Sequence, residues 1–202
     1  KQNVKFTSLE FINCTFDGNM ANIFDNKDGG GAIWLRTSGN CLIENCKIVN
    51  NTSTNDKQAN GGAIYVSFAS EMFLMTIKNT TFCNNSCPHS QSIGHVIYSP
   101  VLYGRLDISN CSFIDNGYNC KESNSAIYTR SDITMINSNM SFSDTSNHKI
   151  RAMFVGVSSS LSLINTTISN FSTEFRTGGS LYYESTDSKE PVLFEIINNT
   201  FE

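Results

Sequence analysis

Residues 106–113 read Leu106-Asp107-Ile108-Ser109-Asn110-Cys111-Ser112-Phe113, one of seven copies of a single pattern in the chain. In each copy, apolar residues stand four and two positions before an asparagine, and another large apolar residue follows it by three. The asparagines are Asn13, Asn45, Asn79, Asn110, Asn137, Asn165 and Asn198. Their spacing is about 31 residues, and a period of this size predicts a solenoid whose units bury apolar faces only against their neighbours.

The local period around each asparagine predicts β-strands. Apolar and polar residues alternate before the asparagine, as expected of a strand with one buried face. The alternation changes parity after the asparagine, so the chain must bend there, and asparagine tolerates the left-handed conformation that a sharp bend can need. We therefore expect a corner at each asparagine and a single file of Ile43, Ile77 and Ile108. No stripe with a 3.6-residue period is present, which excludes helical solenoids.

A second apolar segment lies between consecutive asparagine motifs. Its copies are Gly30–Trp34, Gly61–Tyr65, Gly94–Tyr98, Ser125–Tyr128, Ala152–Phe154 and Gly178–Tyr182. The alternation of the two segments predicts an all-β fold, a single-stranded right-handed parallel β-helix of about six coils spaced by about 4.8 Å. The inserts Asn51–Asn60, Asn84–Ile93 and Asn116–Asn124 are predicted to leave the rod as surface loops.

The composition limits the number of domains and the kinds of partner that we expect. The repeat crosses all 202 residues, so we expect one β-helix domain over residues 1–202, either a segment of a longer solenoid or an uncapped repeat unit. A net charge of −4 and only 16% charged residues argue against a nucleic-acid partner. No apolar run approaches the length of a membrane span. We expect no cofactor and no metal, because the acidic stretch Asp25–Gly29 has too few ligands for calcium.

The seven cysteines fall into two groups. Cys14, Cys46 and Cys111 directly follow a corner asparagine, where other copies carry a threonine, a serine or an asparagine, so we expect a small side chain packed in a tight slot. Cys87 and Cys120 lie in inserts of adjacent coils and are candidates for a disulfide. Cys83–Cys87 is the alternative pairing.

Ten asparagines stand in N-x-S/T sequons, and five of these are corner asparagines of the repeat itself. The other five are the glycosylation candidates in a secretory context: Asn50, Asn51, Asn84, Asn139 and Asn170.

The two motifs resemble those of the chlamydial polymorphic outer membrane proteins, whose passenger regions repeat G-G-A-I and F-x-x-N. Gly30–Ile33 and Gly61–Ile64 match the first motif, and Phe16–Asn19, Phe82–Asn85 and Phe113–Asn116 match the second. Similar repeats occur in protist surface proteins. The resemblance implies a surface-displayed right-handed β-helix, located outside the cell, with an adhesive role.

The residue after the central apolar residue of the glycine segment is aromatic in all six copies: Trp34, Tyr65, Tyr98, Tyr128, Phe154 and Tyr182. Period-two geometry points these rings outward when residues such as Ile64 and Ile97 point inward. With Ala32, Ala63, Ala126 and Ala152 beside it, the column would be a flat apolar strip suited to sugar rings or a protein surface. Two alternatives are that inserts cover the strip and that the rings belong to the core.

No catalytic constellation shows comparable order. Asp107, Asp115 and Asp132 share no phase of the repeat that would pair two carboxylates. His95 is predicted to be partly exposed and non-catalytic. We therefore expect a non-enzymatic, extracellular structural or adhesive module that binds a carbohydrate or protein on a host or partner surface. The alternatives are a filament subunit that stacks end to end and, less favoured, a polysaccharide lyase or hydrolase.

Overall fold

The computed structural model is an all-β parallel solenoid, so the predicted fold class is confirmed. The structure describes residues 7–22, 29–36, 39–54, 59–67, 73–88, 92–102, 104–117, 125–143, 150–156, 159–171, 179–184 and 192–202. No helix occurs within these ranges. Three long parallel sheets run along the rod, with seven, seven and six strands, close to the predicted six coils.

The first sheet contains the strands that precede the corner asparagines. They are Thr7–Ile12, Gly39–Glu44, Phe73–Lys78, Gly104–Ser109, Asp132–Ile136, Leu161–Ile164 and Phe194–Ile197. Each pairs in parallel with the equivalent strand of the next coil. Ile43 lies opposite Ile77, and Ile77 lies opposite Ile108, so the predicted single file is confirmed. All three are buried, because alternate residues of each strand face the interior.

The second sheet contains the short strands after the corners. They are Thr15–Asp17, Lys47–Val49, Thr81–Cys83, Ser112–Ile114, Asn139–Ser141, Thr167–Ser169 and Thr200–Phe201. The middle residue of each internal strand points into the core. The rings of Phe82 and Phe113 stack there with centroids 4.7 Å apart and planes 1° from parallel.

The third sheet contains the glycine segments. Its strands are Ile33–Leu35, Ile64–Val66, Ile97–Ser99, Ser125–Thr129, Arg151–Val155 and Leu181–Tyr183. A further pair, Met20–Asn22 and Thr52–Thr54, lies between the second and third sheets along the chain. The prediction that the inserts leave the rod at Asn51, Asn84 and Asn116 is therefore partly wrong: Asn51 and Asn116 are buried, and the chain continues within the coil for several residues after Asn51.

Left-handed corners separate the first two sheets, as predicted. All seven corner asparagines have positive φ, between 49° and 55°. A second set of corners, which the sequence analysis did not anticipate, follows the strands of the second sheet. Its left-handed residues are Gly18, Asn50, Asn84, Asp115 and Asn170. Only glycine, asparagine and aspartate occupy these positions, because glycine has no Cβ to crowd the backbone and the short polar side chains of the other two can hydrogen-bond locally.

The core is a single apolar file along the rod, lined by all three sheets. Its ends differ from its middle. In the first described coil Leu9 and Ile12 are exposed, and in the last coil Phe194, Ile197 and Phe201 are exposed. The internal residues in register with Leu9, Phe194 and Phe201 are buried; they are Cys41, Leu161 and Ile168. Burial along the rod therefore comes from stacking between coils.

Candidate functional site

The aromatic column lies on the outer face of the third sheet. Tyr98 is in register with Tyr65 on one side and with Tyr128 on the other, and Phe154 is in register with Tyr182. The preceding residues form the inner column, of which Ile64, Ile97, Ile127 and Met153 are fully buried. The predicted outward orientation is confirmed. Tyr65 is nevertheless buried, so the outer face of the column is covered at this ring.

The rings from Tyr65 to Tyr182 form one continuous stack. The successive centroid distances are 5.2, 5.2, 4.7 and 4.9 Å, and neighbouring planes differ by 12° to 31°. Each offset-stacked pair contributes about 0.5–1.5 kcal/mol beyond the area it buries. Because the ring faces contact one another along the rod, the middle of the column presents ring edges. The stacked part of the column therefore differs from the flat apolar strip that we predicted for sugar rings or a protein surface.

Trp34 differs from the rest of the column. It pairs in register with Tyr65, yet 47% of it is exposed, whereas only 8% of Tyr65 is. Among the described residues no aromatic ring is stacked on the indole. Tyr98, Tyr128, Phe154 and Tyr182 are half-buried. Trp34 is therefore the ring with the most surface available to a ligand.

The surroundings of the column are less apolar than predicted. Ala63, Ala126 and Ala152 are buried in the core cluster, so the expectation that alanines widen the exposed strip is wrong. These alanines lie where the chain enters the third sheet, and the N–H of Ala63 is bonded to the next coil at Val96. Cations adjoin the rings: the guanidinium of the buried Arg151 lies 5.0 Å from the ring centroid of Tyr182, within the range of a cation–π contact.

Burial and charge both act on the column's phenols. Desolvation raises the pKa of Tyr98 to about 12, with the neighbouring Tyr128 adding to the rise and Arg130 opposing it. Desolvation also raises the pKa of Tyr128. Both phenols are neutral hydrogen-bonding groups at physiological pH. The column can therefore contribute van der Waals contact and neutral polar contacts, but no charge of its own.

The asparagine of the F-x-x-N motif forms a ladder inside the rod. The side-chain amide of Asn19 donates to Oδ1 of Asn51 at 2.8 Å, Asn51 donates to Asn85 at 2.9 Å, and Asn85 donates to Asn116 at 2.9 Å. Each acceptor oxygen also receives the backbone N–H of the preceding asparagine. The ladder ends at Asn116, since later copies of the motif lack the final asparagine. This role of the asparagine was not predicted from the motif.

The two positions of the G-G-A-I motif require glycine for different physical reasons. Gly30 has positive φ, and so do its counterparts Gly61 and Gly94. Gly31 instead allows close approach between segments: a Cβ on it would lie 2.7 Å from the backbone nitrogen of Thr52. The motif thus combines a left-handed residue with a contact point between coils.

Cys46 and Cys111 occupy the tight slot that we predicted, and both are buried. The slot is also a hydrogen-bonding position. The Sγ of Cys111 donates to the carbonyl of Ser109 at 3.2 Å, while the N–H of Cys111 donates to the hydroxyl of Ser138 in the next coil at 3.1 Å. Burial raises the pKa of Cys111 to about 11, with two backbone hydrogen bonds opposing the rise. Cys111 is therefore a protonated thiol at physiological pH.

His95 is fully buried, so the prediction of partial exposure is wrong. It stands where two preceding coils carry Gly31 and Gly62, at a contact between segments. Its Nδ1 accepts the N–H of Cys87 at 3.2 Å, and desolvation lowers its pKa to about 4. A neutral, enclosed imidazole of this kind has a structural role.

The remaining candidates have separate outcomes. Cys120 lies outside the described residues, so the Cys87–Cys120 disulfide stays a prediction. Cys83 carries a free thiol, which excludes the Cys83–Cys87 pairing in this structure.

The glycosylation candidates differ in burial. Asn51 is fully buried in the ladder, which leaves no room for a glycan. The other glycosylation candidates stay predictions; Asn50, Asn84 and Asn170 are exposed and Asn139 is half-buried.

Each of the three carboxylates considered for catalysis has a local partner. Asp107 forms an ion pair with Arg105 at 2.7 Å. Asp132 accepts the N–H of Ser160 at 2.6 Å. Asp115 accepts both the N–H and the hydroxyl of Ser143. In the described part of the chain, no group of three His, Cys, Asp or Glu side chains could hold a metal ion. Residues 25–28 of the acidic stretch lie outside the described residues.

Two stretches of the repeat match the model of a known family. Residues 13–36 and 45–67 match the model of the Chlamydia polymorphic membrane protein (Chlamydia_PMP) repeat. The matched stretches contain the first two corner asparagines and the first two copies of G-G-A-I. The chain is thus a parallel β-solenoid that carries repeats of this type, and the predicted resemblance is confirmed.

Comparisons with curated proteins and with solved structures gave no match. In the ranges that the structure describes, no helical segment has the length and apolar character needed to cross a membrane.

Proposed function

We propose that this chain is a non-enzymatic module, displayed outside the cell, that binds a partner protein through the outer face of its third sheet. The observation that carries the proposal is the column of outward aromatic rings, which continues from Tyr65 to Tyr182 and meets the exposed Trp34 at one end. Aromatic side chains with one accessible edge are enriched at protein interfaces, because they bring large contact area at little entropic cost.

The geometry favours a protein partner over a polysaccharide. A pyranose ring stacks on the face of an aromatic ring, and the faces between Tyr65 and Tyr182 are already occupied by neighbouring rings. Ring edges and phenol groups instead suit side chains and backbone amides of a protein. Trp34 is the one column position with about half of its surface accessible, and it would act as the anchor of the interface at this end of the column.

The proposal is tested by binding to cultured epithelial cells, measured with labelled protein. Trp34→Ala should reduce binding at least about tenfold, the loss typical of an interface anchor. Phe201→Ala is the matched control, because Phe201 is an exposed aromatic residue outside the column. Equal binding by the native chain and Trp34→Ala would contradict the proposal.

Treatment of the cells separates the partner classes. Protease treatment should abolish binding, whereas periodate oxidation of surface glycans should leave it unchanged. The reverse pattern would indicate a carbohydrate ligand and would contradict the protein-partner proposal. Cleavage of a polysaccharide panel that is lost on Asp107→Asn, Asp115→Asn or Asp132→Asn would contradict the non-enzymatic assignment.

A second candidate function is end-to-end association into a filament. The first and last described coils expose apolar side chains that a further coil in the same register would cover, from the same chain or from a second copy. Unpaired parallel strand edges accompany them. Analytical ultracentrifugation and negative-stain imaging of the isolated chain would support this function if rods longer than about 30 Å grow with concentration. Discrete short rods at every concentration would contradict it.

A further inference from the structure

Two free thiols face each other across the first two coils of the rod. Cys14 and Cys46 occupy the same slot directly after the corners at Asn13 and Asn45. Backbone hydrogen bonds enclose the pair: the N–H of Asn13 donates to Glu44 at 3.0 Å, and the N–H of Lys47 donates to Cys14 at 2.9 Å. The strands on either side are in register, so the two cysteines are direct neighbours between coils.

The two sulfur atoms also lie on the same side of the corner. Each thiol donates to the carbonyl two residues before it, Cys14 to Ile12 at 3.3 Å and Cys46 to Glu44 at 3.2 Å. The N–H of Cys14 reaches the Sγ of Cys46 at 3.4 Å. Burial raises the pKa of the Cys46 thiol, and the backbone hydrogen bond from Cys14 opposes the rise. The Cys46 sulfur therefore lies directly beside the Cys14 backbone, as the register of the strands requires.

Neighbouring coils place equivalent Cα atoms about 4.8 Å apart, inside the range of about 4.4–6.8 Å that a disulfide spans. We propose that Cys14 and Cys46 form a disulfide between the first and second coils when the protein meets an oxidising thiol–disulfide couple. No other neighbours in this slot column are both cysteines, since Cys111 stands between Thr80 and Ser138. The pair is therefore a modification site that only one end of the rod contains.

The chemistry balances with a low-molecular-weight disulfide such as oxidised glutathione as the oxidant. The thiolate of Cys14, the more accessible of the two, attacks one glutathione sulfur and releases one glutathione thiolate, which takes up a proton. The thiolate of Cys46 then attacks the Cys14 sulfur of the mixed disulfide. The Cys14–glutathione bond breaks, the Cys14–Cys46 bond forms, and a second glutathione leaves. Two protein thiols are oxidised and one glutathione disulfide is reduced to two thiols.

The location gives the bond a physical consequence. The first described coil is less buried than the coils behind it, and Leu9 and Ile12 are exposed. A covalent link at the first corner would tether this coil to the second without changing the register of either sheet. Amide hydrogen exchange in the strand Thr7–Ile12 should therefore slow by about tenfold or more after oxidation.

The test is differential thiol labelling of the purified chain after incubation with oxidised glutathione. Free thiols are alkylated in denaturant with one isotopic reagent, and the remainder are reduced and alkylated with another. Cleavage after Arg36 separates Cys14 from the core residue Cys41, and cleavage after Glu44 separates Cys41 from Cys46. Mass spectrometry of the unreduced digest then identifies linked peptides. The expected result is a Cys14–Cys46 linked peptide, with Cys111 carrying the first label.

Two variants complete the design. Cys46→Ser keeps a hydrogen-bonding side chain in the slot and should leave Cys14 reduced or as a stable glutathione adduct. Cys111→Ser should leave the Cys14–Cys46 link unchanged. Three outcomes would overturn the inference: no reaction of Cys14, a stable glutathione adduct on Cys14 in the native chain, or linkage of Cys14 to a cysteine other than Cys46.

Discussion

The side chain of His95 packs against Gly117 of the next coil. A Cβ added to Gly117 would lie 3.3 Å from Cγ of His95 and 2.5 Å from Cδ1 of Ile150. In the two preceding coils a glycine occupies the position of His95, and a Cβ on Gly31 or Gly62 would meet backbone atoms of Thr52 or Ser86. In this coil the imidazole instead packs against Gly117, which has no side chain.

This relationship predicts an energetic coupling between the two positions. Gly117→Ala should destabilise the protein by about 1–3 kcal/mol, since the new methyl group overpacks the site and the residue has a φ of 86°. In a His95→Ala background the cost should fall by at least about 0.5 kcal/mol. Urea unfolding of the four proteins of the cycle measures the coupling. Strictly additive effects would contradict the contact.

The burial of His95 also predicts that the stability of the protein depends on pH. Burial lowers its folded-state pKa to about 4, whereas the unfolded value is near 6.5. The folded protein therefore binds fewer protons, and this contribution to stability is complete above pH 6.5 and declines as the pH falls towards 4. The full loss is about 3 kcal/mol.

The His95→Asn variant isolates that contribution, because its side-chain oxygen can accept the N–H of Cys87. Carboxylates titrate in both proteins, so the informative quantity is the difference in unfolding free energy between the native chain and the variant. This difference should change between pH 7 and pH 4 in favour of the variant. A difference that is constant with pH would show that His95 is protonated in the folded state as readily as in the unfolded state.

Two buried cysteines should respond differently to the same substitution. Cys111→Ser should change stability by less than about 1 kcal/mol, because serine and threonine already occupy the slot in other coils and make the same hydrogen bond to the carbonyl two residues before. Cys41→Ser should cost about 1–3 kcal/mol, since it places a hydroxyl among the apolar residues of the first sheet. Thermal unfolding of both variants under reducing conditions provides the comparison. Equal losses would contradict the distinction between slot and core.

The internal asparagine ladder should contribute strongly to stability. Asn85 donates to Ile48 and to Asn116 and accepts from Asn51, all within the buried interior. Asn85→Leu would leave several buried polar groups without partners, at roughly 1–3 kcal/mol each. Its neighbour Asn84 is exposed and left-handed, so Asn84→Gly should cost less than about 1 kcal/mol. A comparable loss in chemical denaturation for both variants would refute the role of the ladder.

The repeat was sufficient to predict the strands, the first set of corners and the register between coils. The corner at Asn45 and the in-register file from Ile43 to Ile108 follow from a change of parity at a residue that tolerates positive φ, and both are local properties. The second corner was missed because its occupants vary, from Gly18 to Asn84 to Asp115, so no single residue type marks it. A bend can thus be predicted from local sequence when the same type of residue occupies it in every repeat.

The candidate site was predicted less completely. Alternation placed Tyr98 on the outer face, but the stacking of ring upon ring depends on the distance between coils and not on the sequence of one strand. The burial of His95 and of Ala63 likewise depends on segments of neighbouring coils that pack over them. Features set by contacts between coils required coordinates, whereas features set within one strand did not.

The in-register stacking of coils is tested most directly by distances along the rod. One outward column of the second sheet contains Lys47, Asn139, Thr167 and Thr200. One nitroxide amino acid is placed at Lys47 and a second at one of the other three positions. Pulsed electron paramagnetic resonance should give distances of about 14, 19 and 24 Å, increasing by about 4.8 Å with each coil. Distances that do not increase in equal steps from Asn139 to Thr200 would contradict the parallel solenoid on which the outer aromatic column depends.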